Sequence, residues 1–81
     1  MTKEEYFEKA VDAFGDDKLD ESIDLYYKAI EMDPKNTEAY YNRGSAYCSK
    51  KEYDKAIKDF QKVLKIDPKN AEAYSSLKLF H

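Results

Sequence analysis

The apolar residues of this chain recur at intervals of three and four positions, which is the period of an α-helix. Two such apolar faces are formed by Ile23, Tyr26, Tyr27 and Ile30, and by Ile57, Phe60 and Leu64. The chain has only two glycines and two prolines, too few to reverse it after each of many short strands. The pattern therefore predicts an all-α protein.

The same residue pattern occurs twice, at a spacing of 34 positions. The segment Asp33–Asn36 returns as Asp67–Asn70, and the small residue Ala10 corresponds to Gly44. A fixed period of about 20 to 50 residues indicates stacked units, each of which buries the apolar face of its neighbour. Because each unit carries two helical stretches, we expect two helices per unit.

Proline and capping residues predict where the helices end and begin. Pro34 and Pro68 end the second helix of each unit, because proline lacks an amide hydrogen and pushes the preceding residue out of the α region. Side chains that can cap the next helix occur at one repeat position, which holds Thr2, Asn36 and Asn70. Thr2 and Glu5 together predict a capping box.

These residues resemble the tetratricopeptide repeat family, whose pattern combines aromatic, small and proline positions. In the second unit the pattern is matched by Tyr40, Arg43, Gly44, Tyr47, Ala56, Phe60, Val63 and Pro68. In the first unit it is matched by Tyr6, Lys9, Ala10, Ala13, Ser22, Tyr26, Ala29 and Pro34. Four of these residues depart from the usual pattern: Lys9 and Arg43 replace leucine, Ala13 replaces tyrosine and Val63 replaces alanine.

The resemblance implies a right-handed superhelical array of antiparallel helix pairs with about five helices. The whole chain, residues 1–81, would form a single domain. Its first repeat would span residues 3–36 and its second residues 37–70, followed by a capping or partial-repeat helix over residues 71–81.

The resemblance also implies a site, because in this family the first helix of each unit lines a concave groove that binds peptides. The positions that carry over are Glu4, Phe7, Glu8, Val11, Phe14, Glu38, Tyr41, Asn42, Ser45, Cys48, Glu72, Ser75, Ser76 and Leu79. Such a groove is apolar and aromatic at one end and suits a ligand with apolar and basic residues. The glutamates are also explained by the helix dipole, and the aromatics by packing between helices.

One ligand class of the family does not fit this chain. Acidic chaperone tails are held by a carboxylate clamp of lysine, asparagine and arginine side chains, and only Asn42 of that set is present. The other positions hold Phe7, Val11, Glu72 and Ser76. Because charge-assisted hydrogen bonds to a carboxylate would be missing, we expect no binding of such tails.

The C-terminal helix suggests an alternative function. Leu77 and Phe80 predict an apolar assembly surface, and Lys78 occupies the position of Ala10 and Gly44. Residues 1–36 carry eleven acids and five bases, whereas residues 37–81 carry six acids and nine bases. These features favour a homodimer or a head-to-tail oligomer. They are also compatible with an excised or engineered fragment of a longer protein of this family.

Composition argues against other classes of function. A net charge of −3 with no basic stripe disfavours nucleic acid as a partner, and no apolar stretch approaches the roughly 20 residues of a membrane span. A single cysteine, Cys48, and a start without an apolar leader predict a cytoplasmic protein. The one histidine, His81, lies at the end where fraying is expected. We therefore expect no enzyme activity, cofactor or metal.

Overall fold

The computed structural model describes residues 1–80, which contain five α-helices and no strand. The helices are α1 (Lys3–Gly15), α2 (Leu19–Met32), α3 (Thr37–Ser49), α4 (Tyr53–Ile66) and α5 (Ala71–Lys78). Each helix packs against the next, and α1 also contacts α3. The predicted all-α helical array is confirmed. The last helix is shorter than the predicted 71–81, since it ends at Lys78, and His81 lies outside the described residues.

The predicted caps form at the starts of the first helices of the units. Thr2 Oγ1 accepts a hydrogen bond from the Glu5 amide at 3.1 Å, and Glu5 Oε1 accepts one from the Thr2 amide at 3.0 Å. This capping box lowers the pKa of the Glu5 carboxyl, chiefly through its hydrogen bond with the Thr2 backbone. The side chains of Asn36 and Asn70 each accept a hydrogen bond from a first-turn amide of α3 and α5, without the reciprocal bond of a capping box.

A four-residue turn joins the units at each proline. The Asn36 amide donates to the Asp33 carbonyl at 3.1 Å, and the Asn70 amide donates to the Asp67 carbonyl at 3.1 Å. The helices end two residues before each proline, at Met32 and Ile66, because proline disfavours helical backbone at the residue before it. The turn is short, so the helices it connects pack closely side by side.

The turns within the units use a strained residue instead of glycine. Asp17 and Lys51, which are 34 positions apart, have φ values of 60° and 64°. The amides that follow them close each helix end: Lys18 donates to the Ala13 carbonyl at 2.8 Å and Glu52 to the Tyr47 carbonyl at 2.9 Å. This is the hydrogen-bond pattern of a Schellman motif, in which glycine is usual at the left-handed position.

Replacing Lys51 with glycine is expected to stabilise the protein by about 1 kcal/mol, because a side chain in the left-handed region costs roughly 1–2 kcal/mol. Urea unfolding of Lys51→Gly would measure the gain. Lys51→Ala is the control, since alanine keeps the Cβ and loses the rest of the side chain, as glycine does. An equal gain for both variants would contradict the backbone explanation.

The core draws residues from all five helices, and most of them are small or aromatic. Its buried members include Ala10, Tyr26, Ile30, Ala39, Tyr40, Ala56, Phe60, Val63 and Ala73. Ser22 occupies the repeat position that Ala56 occupies in the second unit. Its hydroxyl donates to the Ala10 carbonyl at 2.9 Å. That hydrogen bond satisfies a buried polar group and joins α1 to α2.

Candidate peptide-binding groove

The first helices of the units lie side by side and form one continuous surface, which we call the groove. Helix α1 contacts α3 directly, and a hydrogen bond of 3.1 Å between Tyr41 Oη and Ser76 Oγ joins α3 to α5. Residues three and four positions apart share a helix face. The groove therefore brings together side chains that are more than 30 positions apart in sequence.

An apolar pocket of about 190 Å³ lies between α1 and α3. Its lining residues are Val11, Phe14, Tyr26, Asn42 and Ser45. Four of them are predicted groove positions, and the fifth, Tyr26, belongs to α2 and is only 1% exposed. Val11 is 43% exposed, so it presents an apolar side chain to solvent without a partner helix.

The polar side chains of Tyr26 and Asn42 line the apolar pocket. Burial raises the pKa of the Tyr26 hydroxyl, and hydrogen bonding with Asn42 and Ser22 partly offsets that rise. The Ser45 hydroxyl donates to the Tyr41 carbonyl at 3.2 Å, within its own helix. The pocket therefore combines apolar walls with the side-chain amide of Asn42, which is a common arrangement in ligand pockets.

An acidic pocket of about 270 Å³ lies at the N-terminal turns of the same two helices. Its lining residues are Lys3, Glu4, Phe7, Glu8, Asp33, Asn36 and Glu38. Lys3 Nζ lies 3.4 Å from Asp33 Oδ2, so this cation is engaged by one of the four carboxylates. The Phe7 ring is partly buried and packs edge-on against Tyr26, with 5.8 Å between the ring centroids.

A third depression, of about 420 Å³, lies between α3 and α5. It is lined by Tyr41, Ala71, Glu72, Ser75, Ser76 and Leu79. The Tyr41 ring packs against the Phe60 ring, with 5.3 Å between the centroids. The hydrogen bond to Ser76 also fixes its position. This part of the groove carries hydroxyls and one carboxylate beside the apolar side chain of Leu79.

Cys48 is the predicted groove residue that lies in none of these three pockets. It is partly buried beside the core, and burial raises the pKa of its thiol. A higher pKa leaves less of the reactive thiolate at neutral pH. The surroundings of Cys48 therefore do not activate its thiol as a nucleophile.

Alkylation of Cys48 tests this environment. At pH 8 we expect iodoacetamide to modify the folded protein several-fold more slowly than the protein unfolded in urea, because burial both raises the thiol pKa and limits access. Mass spectrometry of quenched time points would measure both rates. Equal rates would contradict the partly buried position.

The structure places the predicted assembly residues differently from the expectation. Leu77 and Phe80 turn inward against the core, with the Phe80 ring 5.6 Å from Tyr53 between centroids. Leu77 follows the buried Ala73 by four positions on α5, so the two share the inner face of that helix. Phe80 lies just beyond the end of the helix. The exposed apolar residues of this segment are instead Tyr74, at 58%, and Leu79, at 82%.

A buried ion pair is the main feature that the sequence interpretation missed. Arg43 Nη2 lies 2.6 Å from Asp59 Oδ1, and Arg43 Nε lies 2.9 Å from Oδ2. Burial lowers the pKa of Arg43, but the hydrogen bond and charge of Asp59 outweigh it, so the pKa is raised. Asp59 lies on the apolar face of α4. An acidic residue at such a position was the feature of the sequence that could have indicated a buried ion pair.

The described part of the chain has neither a cluster of metal-binding side chains nor a membrane-spanning helix. Residues 1–80 contain no group of three or more histidine, cysteine or acidic side chains that could hold a metal ion. Among the helices of the same residues, none is long and apolar enough to cross a membrane.

Two family models match the sequence. One, described as Tetratricopeptide repeat, matches residues 37–70. The other, described as TPR repeat, matches residues 17–47. Together they extend from α2 to the end of the second predicted repeat.

Known proteins similar to this chain are longer. Hsc70-interacting protein 1 and Hsc70-interacting protein 2 of Drosophila melanogaster are each 43% identical to it over 44 residues, which make up 54% of this chain and 12% of theirs. The crystal structure of MamA has a TM-score of 0.94 and 33% identity, and the match covers 96% of this chain and 46% of that one.

A further solved structure holds a ligand. The first TPR of Spaghetti, bound to the HSP90 peptide SRMEEVD, has a TM-score of 0.53 and 26% identity. The match covers 96% of this chain and 89% of that one. Peptide binding is thus seen in a protein with a related arrangement of helices.

Proposed function

The chain belongs to the tetratricopeptide repeat family, and from that premise we propose that it is a cytoplasmic interaction scaffold without catalytic activity. In this proposal the groove holds an extended segment or a helix of a partner protein. The observation that carries it is the apolar pocket, where Val11 and Phe14 of α1 meet Asn42 and Ser45 of α3. A partly exposed valine beside an open pocket is suited to a ligand side chain.

The comparisons support a role in protein interaction at a general level. Proteins of this family and fold are typically interaction modules, and one structural neighbour binds an HSP90 peptide. Because the chain spans less than half of MamA and a 12% stretch of the curated relatives, their partners do not transfer to it directly. The identity of the ligand has to be argued from this groove.

The chemistry of the groove argues against an acidic chaperone tail. Phe7 and Val11 occupy positions where the carboxylate clamp has other side chains, and both contribute apolar surface to the groove. Glu72 adds a negative charge at another position of the clamp. A ligand with apolar and basic residues suits these side chains better. We expect the peptide SRMEEVD to bind with a Kd above about 1 mM in an NMR titration, and a Kd in the micromolar range would contradict the proposal.

Selection of binding peptides from random sequences tests the proposed function. A phage-displayed library of random peptides is selected on the intact protein, and the best binders are mapped by ¹⁵N NMR. We expect their largest shifts on α1 and α3. Phe14→Ala should weaken binding at least about tenfold, whereas Tyr27→Ala is the control, because Tyr27 is an exposed aromatic of α2 outside the groove pockets. Peptides whose affinity falls equally with both variants would refute the groove as the binding site.

Self-assembly is the alternative function, and the exposed Tyr74 and Leu79 favour it. Its test is the solution mass over a hundredfold range of concentration. If the protein associates, Leu79→Glu should restore the monomer and Met32→Glu, at another exposed apolar site, should not. Phe80→Glu is unsuitable as a test, because Phe80 packs inside. A monomer at every concentration would refute this alternative.

A further inference from the structure

We infer that the ligand of the groove carries a lysine or arginine about three residues from an apolar side chain, in a segment with polyproline II conformation. The basic side chain enters the acidic pocket, and the apolar side chain enters the apolar pocket. This inference rests on the proposed function and specifies its ligand.

The spacing follows from the geometry of α1, which lines both pockets. Glu4, Phe7 and Glu8 line the acidic pocket, and Val11 and Phe14 line the apolar pocket. The two sets are centred roughly six residues apart, which is about 9 Å along a helix that rises 1.5 Å per residue. A peptide in the polyproline II conformation has three residues per turn and advances about 3.1 Å per residue, so side chains three positions apart lie on the same face, about 9 Å from each other. Three residues of ligand therefore connect the pockets.

The charge of the acidic pocket selects a basic residue. Lys3 pairs with Asp33, which leaves Glu4, Glu8 and Glu38 as the other carboxylates of the lining. The dipole of α1 accounts for Glu4, which lies in its first turn, but this effect falls off beyond that turn. Glu8 lies one turn further on, so helix stability does not explain its charge.

The size of the apolar pocket selects a large apolar side chain. Its volume of about 190 Å³ exceeds the roughly 150 Å³ of an engineered cavity that binds benzene. A leucine, methionine or phenylalanine side chain therefore fits. The partly buried Phe14 and the exposed Val11 supply apolar contact on the α1 side.

Designed peptides test the inference. The probes are acetylated and amidated nine-residue peptides of serine and glycine that contain one lysine and one phenylalanine, three positions apart, in both chain orders. The controls place the two residues adjacent or six positions apart, or replace lysine with glutamate. NMR titration is expected to show that one of the three-position peptides binds at least about fivefold tighter than each control.

Charge reversal in the protein provides the decisive comparison. Glu8→Lys should weaken binding of the lysine peptide and strengthen binding of the glutamate peptide. Glu31→Lys, at an exposed site on α2, should leave the affinities for both peptides unchanged. Equal affinity at all three spacings, or no response to Glu8→Lys, would overturn the inference. If library-selected peptides still lost affinity on Phe14→Ala, the proposed function would hold although the inference about its ligand had failed. If Phe14→Ala did not weaken those peptides either, both the inference and the proposed function would be refuted.

Discussion

Replacing Arg43 with leucine is expected to destabilise the fold by about 3 kcal/mol, although leucine is apolar and fits the repeat pattern. The substitution leaves Asp59 without its partner, and Asp59 is only 4% exposed. A buried ion pair broken on one side typically costs roughly 3–5 kcal/mol. A domain of this size has a total stability of about 4–12 kcal/mol, so urea unfolding should detect a large change.

The double variant Arg43→Leu/Asp59→Leu shows whether the loss of stability comes from the unpaired charge of Asp59 or from the lost contacts of the Arg43 side chain. At the equivalent positions the first repeat has Lys9 and Leu25, and Leu25 packs against the core, so the fold accepts leucine there. We expect the double variant to lie within about 1 kcal/mol of the natural protein. Lys50→Ala is a further control, because the Asp20 side chain of the Lys50–Asp20 pair is 82% exposed, and it should change little. A double variant as unstable as the single one would contradict the explanation.

Replacing Gly44 with alanine is expected to destabilise the protein by about 2 kcal/mol, even though alanine is the better helix former. A Cβ at position 44 would lie 2.7 Å from Phe60 Cε1, and the Phe60 ring is buried between Tyr41 and Phe80. Overpacking of this kind typically costs roughly 1–3 kcal/mol. Thermal and urea unfolding would measure the loss.

Two comparisons isolate the contact between Gly44 and Phe60. Gly15→Ala is the control, since a Cβ at Gly15 meets nothing within 4 Å, and we expect it to be neutral or slightly stabilising. Adding Phe60→Leu to Gly44→Ala should cost less than the two single changes together, because the smaller side chain makes room. Strict additivity would show that the ring does not limit position 44.

The close approach at Gly44 also bears on the groove. The Phe60 ring that fills this space packs against Tyr41, which lines the depression between α3 and α5. A side chain at position 44 would displace Phe60 and thereby Tyr41. We therefore expect Gly44→Ala to shift the NMR signals of α5 as well as those of α3.

The sequence by itself determined the features that depend on local spacing. The 34-residue period, the helical spacing of Tyr26 and Phe60, and the caps at Thr2, Asn36 and Asn70 together predicted the all-α array. These signals are reliable because helix ends and helix faces are set by residues within a few positions of each other. The groove positions of α1 and α3 were implied by the resemblance to the tetratricopeptide repeat family.

Only the tertiary structure decided how those faces meet. It joined Arg43 to Asp59, turned Leu77 and Phe80 toward the core and left Leu79 exposed. It also separated the predicted groove residues into an acidic pocket, an apolar pocket and a depression between α3 and α5. The physical reason is that contacts between helices depend on their separation and rotation, which many distant residues set together. A pattern of spacings along one chain does not contain that information.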